Sequence, residues 1–158
     1  MIRTLRVADR APVAALLGAA FAGTEEAGIV AALRLAGDMV LELVAAPEEA
    51  PLGYIAFSRM AAPAGTLGLA PLAVHPACQR QGIGAALVRE GLDRASARGW
   101  NGVFVLGEPA YYARFGFSLA AAAPFGSRWP ASHLMALDLG GLEGKGGPLR
   151  YAPALEGG

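Results

Sequence analysis

The sequence predicts an α+β domain, and three observations predict it. Strand-like and helix-like stretches follow in the order β-α-α-β-β-β-α-β-α-β-β. One segment, Leu69 to Leu92, runs from an apolar strand through a glycine-bearing turn into an amphipathic helix. The chain is 158 residues long and 54% apolar, enough for one domain with a sizeable core.

Ile2 to Val7 alternates apolar and polar residues, as a first strand does. A helix from about Arg10 to Phe21 follows, with Asp9 as N-cap, Pro12 in its first turn, and Val13, Leu16, Leu17 and Phe21 on one face. Arg3, Arg6 and the apolar run to Ala22 imitate a signal peptide. The helix caps argue against secretion, and the run is too short to span a bilayer. Thr24 is placed to cap a second helix, Glu25 and Glu26 sit in its first turn, and Ile29, Val30 and Leu33 form its stripe up to Gly37.

Met39 to Ala45 and Leu52 to Met60 read as strands, and a third covers Thr66 to Val74, with Pro71 denying one ladder bond. The central helix carries Ile83, Leu87, Val88, Gly91, Leu92 and Ala95 on one face. Val103 to Leu106 is a wholly apolar strand, Ala110 to Arg114 a short helix after Pro109, and Phe117 to Ala121 and His133 to Leu139 two further strands around the loop Pro124 to Pro130. The tail, residues 140–158, is glycine-rich and expected to be irregular, although Leu149 to Leu155 has the character to fold back.

Thirteen basic and 13 acidic side chains cancel, which leaves no electrostatic case for nucleic acid or an anionic membrane. The single Cys78 cannot form an internal disulfide and is compatible with a reducing cytoplasm. His75 and His133 are the only histidines, so no metal site is expected. Gly144-Lys145-Gly146 has no strand before it or helix after it, and reads as a connection.

The chemistry concentrates at the turn. Gln79, Arg80, Gln81, Gly82, Ile83 and Gly84 lead into the central helix, whose first backbone N–H groups lack internal partners and face anions favourably. Gly82 and Gly84 lack the Cβ that would hold a phosphate away. The spacing is not the dinucleotide pattern G-x-G-x-x-G/A, nor a P-loop, which needs G-K-S/T.

It resembles the coenzyme A pyrophosphate motif of the GNAT N-acetyltransferases, Q/R-x-x-G-x-G/A, with Gln79, Gly82 and Gly84 in its defined positions. The element order is also the GNAT order from Ile2 to about Leu139. Residues 103–117, VFVLGEPAYYARFGF, resemble the stretch V-F-V-L-G-E/D-P-x-Y-Y-x-R-F-G-F of small bacterial members. The resemblance implies a mixed, mostly antiparallel seven-stranded sheet with helices on both faces, its fourth and fifth strands parallel and splayed to admit pantetheine.

It further implies acetyl-CoA as cosubstrate and a primary amine of a small molecule or peptide as acceptor, attacked directly in a ternary complex. Arg80 to Gly84 would meet the pyrophosphate. Leu72, Ala73 and Val74 would offer backbone groups to pantetheine, and Tyr112 would give a proton to the departing thiolate. Many members use a fourth-strand glutamate as base; this strand has none, which leaves Glu108, whose equal alternative is merely to cap the short helix after it, or water, for that role. Glu25 and Glu26 border the region where the acceptor would lie. The missing glutamate also fits a non-catalytic acyl-CoA-binding module. A cytoplasmic protein is expected, and strand edges near the C-terminus are compatible with a homodimer.

Overall fold

A computed structural model describes residues 1–156. They form two compact units: residues 1–57 with 70–92, and residues 58–69 with 93–156. The strands are β1 (Ile2–Thr4), β2 (Met39–Ala45), β3 (Gly53–Arg59), β4 (Thr66–Val74), β5 (Gly102–Leu106), β6 (Phe125–Gly126), β7 (Leu134–Asp138) and β8 (Gly147–Pro148). The helices are α1 (Arg10–Phe21), α2 (Glu25–Ala36), α3 (Ile83–Ala97), α4 (Pro109–Ala113), α5 (Leu119–Ala122) and α6 (Pro153–Glu156). The main sheet has six strands, not the expected seven, in the order β1-β2-β3-β4-β5-β7.

In the first unit β1 pairs antiparallel with β2, from Ile2 opposite Ala45 to Thr4 opposite Leu43. Val13, Leu16 and Leu17 of α1 and Val30 of α2 pack with Val44, Tyr54, Ala56 and Ala73 in one apolar cluster. Phe21 departs from the expected stripe and is exposed, because the chain leaves the helix one residue later at Ala22. Asp9 stands at the start of α1, but its carboxylate does not cap the helix. It turns back to accept Arg6 N–H at 2.7 Å and both terminal nitrogens of Arg3 at 2.6 and 3.0 Å. Thr24 likewise occupies the N-cap position of α2 without a side-chain hydrogen bond. Glu42, the polar residue within β2, is held by Arg34 at 2.7 Å and by the hydroxyl of fully buried Tyr54, also at 2.7 Å.

In the second unit β5 runs parallel to β4 over three pairs, from Thr66 opposite Gly102 to Gly68 opposite Phe104. On its other side β5 pairs antiparallel with β7 over five pairs, from Gly102 opposite Asp138 to Leu106 opposite Leu134. The expected strand Phe117 to Ala121 is instead the helix α5, and this accounts for the missing seventh strand. The Ser118 hydroxyl accepts the Ala121 N–H at 3.0 Å and caps a run of alanines, the best helix formers. Only a single antiparallel bridge between Ser118 and Ala136 remains of the strand.

The expected loop after it contains β6, which pairs in parallel with β8. The described part of the tail, residues 140–156, is mostly turns and bends apart from β8 and α6, and it folds back as expected of its apolar residues, while residues 157–158 lie outside the described residues. Leu142, Leu149 and Tyr151 are buried against Phe104, Phe125, Leu134 and Ala136. The turn that starts the tail is fixed by Asp138, whose Oδ1 accepts the N–H groups of Gly140, Gly141 and Leu142 at 2.7, 3.0 and 3.0 Å. Those bonds hold its carboxyl below the usual carboxylate range.

Candidate functional site

The first unit builds the turn from the end of β4. After Val74, the His75 imidazole accepts the Ala77 N–H at 3.1 Å and closes a single 3-10 turn, Pro76–Cys78. Gln79 then reaches back, its amide donating to the Val74 carbonyl at 3.3 Å. This bond ties the head of the turn to the strand and occupies one of the backbone groups expected to meet pantetheine. Ala73 has its side chain in the core, while Leu72 and Val74 are half-buried.

Arg80 and Gly82 both adopt left-handed backbone, with φ of 64° and 83°. Glycine takes such a conformation without penalty; arginine does not, so the rest of the turn must hold Arg80 there. Gln79, Arg80, Gln81 and Gly82 are exposed, Gly84 is half-buried, and Ile83 is buried as the first residue of α3. The Gly82 carbonyl accepts Ala86 N–H at 3.0 Å and starts the helical ladder. A Cβ built on Gly82 would meet nothing within 4 Å. The turn thus leaves open space at Gly82, the residue before a 15-residue helix, with exposed Arg80 two residues earlier.

The second unit positions Glu108 and Tyr112. Gly107 N–H donates to the His133 carbonyl at 3.0 Å, which anchors the end of β5. The Glu108 carbonyl accepts the N–H groups of Tyr111 and Tyr112, both at 3.1 Å, and starts α4. The Glu108 side chain is exposed and makes no capping bond, so a capping role does not explain it.

Tyr112 is half-buried among aromatic rings. Tyr111 lies edge-on at 5.0 Å between centroids and Phe117 at 5.7 Å. Burial, with a smaller contribution from Tyr111, pushes the phenol up to about 12. Its hydroxyl has no hydrogen-bond partner among the described residues. Glu25 and Glu26 remain in the first turn of α2, in the first unit. No cluster of potential metal ligands occurs among the described residues, and none of their helices is long and apolar enough to cross a membrane.

A family model described as an acetyltransferase (GNAT) domain matches residues 40–119, from β2 to the first residue of α5. The chain belongs to the GNAT acetyltransferases. The uncharacterized N-acetyltransferase YhbS of Escherichia coli K12 is 40% identical over 136 residues, covering 84% of this chain and 81% of that protein. The crystal structure of Escherichia coli YhbS in complex with CoA superposes with a TM-score of 0.92 at 36% identity, covering 99% of this chain and 91% of that one. A GNAT acetyltransferase of Brucella melitensis, in complex with acetyl-CoA, gives 0.85 at 35% identity, covering 98% and 97%. The GNAT chain described here is accordingly an N-acetyltransferase.

Sequence reasoning singled out the turn and the tyrosine as candidates because both are short, contiguous signals. It missed the apolar cavity formed by α5, β6 and Trp129, having read those residues as strand and loop. The available signal was Ser118 followed by alanines, a cap and a helix run.

Proposed function

We propose that this GNAT enzyme transfers the acetyl group of acetyl-CoA to a primary amine by direct attack in a ternary complex. Acetyl-CoA is the cosubstrate. The observation that carries the reading is the open turn before α3, where nothing would meet a Cβ on Gly82 and Arg80 stands exposed. In this reading the backbone of Arg80, Gln81, Gly82, Ile83 and Gly84 receives the pyrophosphate, and Gln79 braces the turn through Val74. Leu72, Ala73 and Val74 present strand backbone to the pantetheine amides.

The amine lone pair attacks the thioester carbon, and the carbon–sulfur bond breaks as the oxyanion collapses. The sulfur leaves as thiolate and the nitrogen loses one proton. β4 carries no carboxylate, so Glu108, free of any cap, takes that proton directly or through one water. Tyr112 is not a strong acid here. With its phenol near 12, full proton transfer to a thiolate of ordinary pKa about 8.5 is uphill by roughly 5 kcal/mol. Its free hydroxyl instead donates a hydrogen bond to sulfur as charge develops, and the thiolate collects its proton from solvent afterwards.

Initial rates of coenzyme A release, with acetyl-CoA and an accepted amine varied together, test the order of events. Intersecting double-reciprocal lines are expected for a ternary complex. Parallel lines, with an isolable acetyl-enzyme, would replace direct attack by a covalent route.

A further inference from the structure

The second unit also contains a cavity of about 360 Å³ that no step above uses. Leu119, Ala122 and Ala123 of the α5 region, Phe125 of β6, Trp129 and Leu134 form most of its wall. No side chain in the wall carries a formal charge. Its one hydroxyl, on Ser127, already accepts the backbone N–H of Trp129 at 3.0 Å, while the Trp129 indole N–H is buried without a hydrogen-bond partner among the described residues. The space exists because α5 presents alanines where longer side chains would fill it.

The wall is held from behind. Phe125 packs edge-on to Phe104 at 5.1 Å, and the Trp129 ring has the Arg128 guanidinium over it at 4.4 Å and meets the Tyr151 ring edge-on at 6.4 Å. A pocket of this size is at the small end of ligand sites, roughly 300–1,000 Å³, and such sites are usually preformed. Its position is specific too. Leu134 pairs with Leu106, the last residue of β5, and His133 anchors Gly107, after which Glu108 and Tyr112 follow.

We propose that this cavity receives the apolar part of the acceptor, so that the substrate is a primary amine bearing an aliphatic or aromatic group. The proposal rests on the acetyl transfer described above. A polyamine or an amino sugar would bring ammonium or hydroxyl groups against a wall that offers them no charged partner. An alkyl or phenyl group loses nothing there and leaves water.

The test compares kcat/KM, with acetyl-CoA fixed, for 2-phenylethylamine and n-hexylamine against putrescine and ethanolamine. A preference of about tenfold or more for the first pair is expected. Ala120→Trp and Ala123→Trp fill the cavity from exposed positions, which spares the core. Each should raise KM for 2-phenylethylamine about tenfold while the Kd for acetyl-CoA stays within about twofold. Binding is read without turnover in Trp100→Phe, where Trp129 is the sole remaining indole and its emission should shift as 2-phenylethylamine is added. Equal rates for all four amines, a preference that survives both fillings, or unchanged emission at saturating amine would overturn the proposal. Failure of the ternary mechanism looks different: parallel initial-rate lines, with the Trp129 response intact.

Discussion

A side chain added at Gly107 would run into the ring of Tyr112. The chain leaving β5 therefore passes directly against the phenol, and Phe117 supports the ring with an edge-on contact at 5.7 Å. The ring is positioned by packing, while its hydroxyl is unengaged among the described residues. Tyr112→Phe should keep the ring and the fold and lower kcat by about ten- to a hundredfold, with KM for acetyl-CoA little changed, as expected for a donor used only in the transition state. The phenol near 12 is neutral throughout the working range, so the wild-type pH profile should show no inflection from it below about pH 11. Equal kcat in the two proteins, with chemistry limiting, would return Tyr112 to a packing role.

Glu108→Gln removes the proposed base without touching the backbone carbonyl that starts α4. A loss of about a hundredfold in kcat/KM is expected, within the range for a positioned base. Glu25→Gln and Glu26→Gln should stay within a few-fold of wild type in kcat/KM, since neither is the proposed base. A hundredfold loss at either would move the proton acceptor to the first unit.

Gly84→Val places a branched side chain in the first turn of α3, where the pyrophosphate is proposed to lie. Acetyl-CoA binding should weaken at least tenfold, about 1.4 kcal/mol, with the thermal midpoint nearly unchanged. Calorimetry on the folded variant decides; unaltered affinity would remove the turn from the binding site.

Asp9 gives a pH prediction for stability. The Arg3 hydrogen bonds, ahead of the other contributions, hold its carboxyl down at about 2. The folded pKa is depressed, so its stabilisation is complete above the unfolded value near 3.8 and is lost as pH falls through about 2. Asp9→Asn should destabilise the protein by about 1–2 kcal/mol at pH 7. Denaturant titrations of both proteins should converge between pH 4 and pH 2, and a constant difference across that window would show that the charge is not what Asp9 contributes.

The parts legible in the sequence are those whose cause is local. Gly82 needs left-handed backbone, Ile83 and Leu87 need a buried face, and both demands are met within one turn of chain. Phe117 to Ala121 shows the limit. Five apolar or small residues fit a strand or a helix equally, and the bond from Ala121 N–H to Ser118 decided for the helix. Phe21 was misplaced because a helical period says which residues share a face but not where the covering ends. The cavity beside Trp129 was illegible for a deeper reason. It is space that Ala122 and Ala123 do not fill, and an unfilled volume depends on elements far apart in the chain.

Leu142, Leu149 and Tyr151 lock around Phe104 and Phe125, and this has a consequence during synthesis. The first unit has all its residues once position 92 has been made. The second cannot close its core until Tyr151 emerges from the ribosome. In that interval Phe104, Phe125 and Leu134 lack the cover of the tail, which exposes the nascent chain to aggregation and makes it a client for chaperones that bind apolar segments. A premature stop just after Leu139 would prolong the interval indefinitely, sparing every proposed catalytic residue yet leaving Glu108 and Tyr112 on a unit without its lid of apolar side chains.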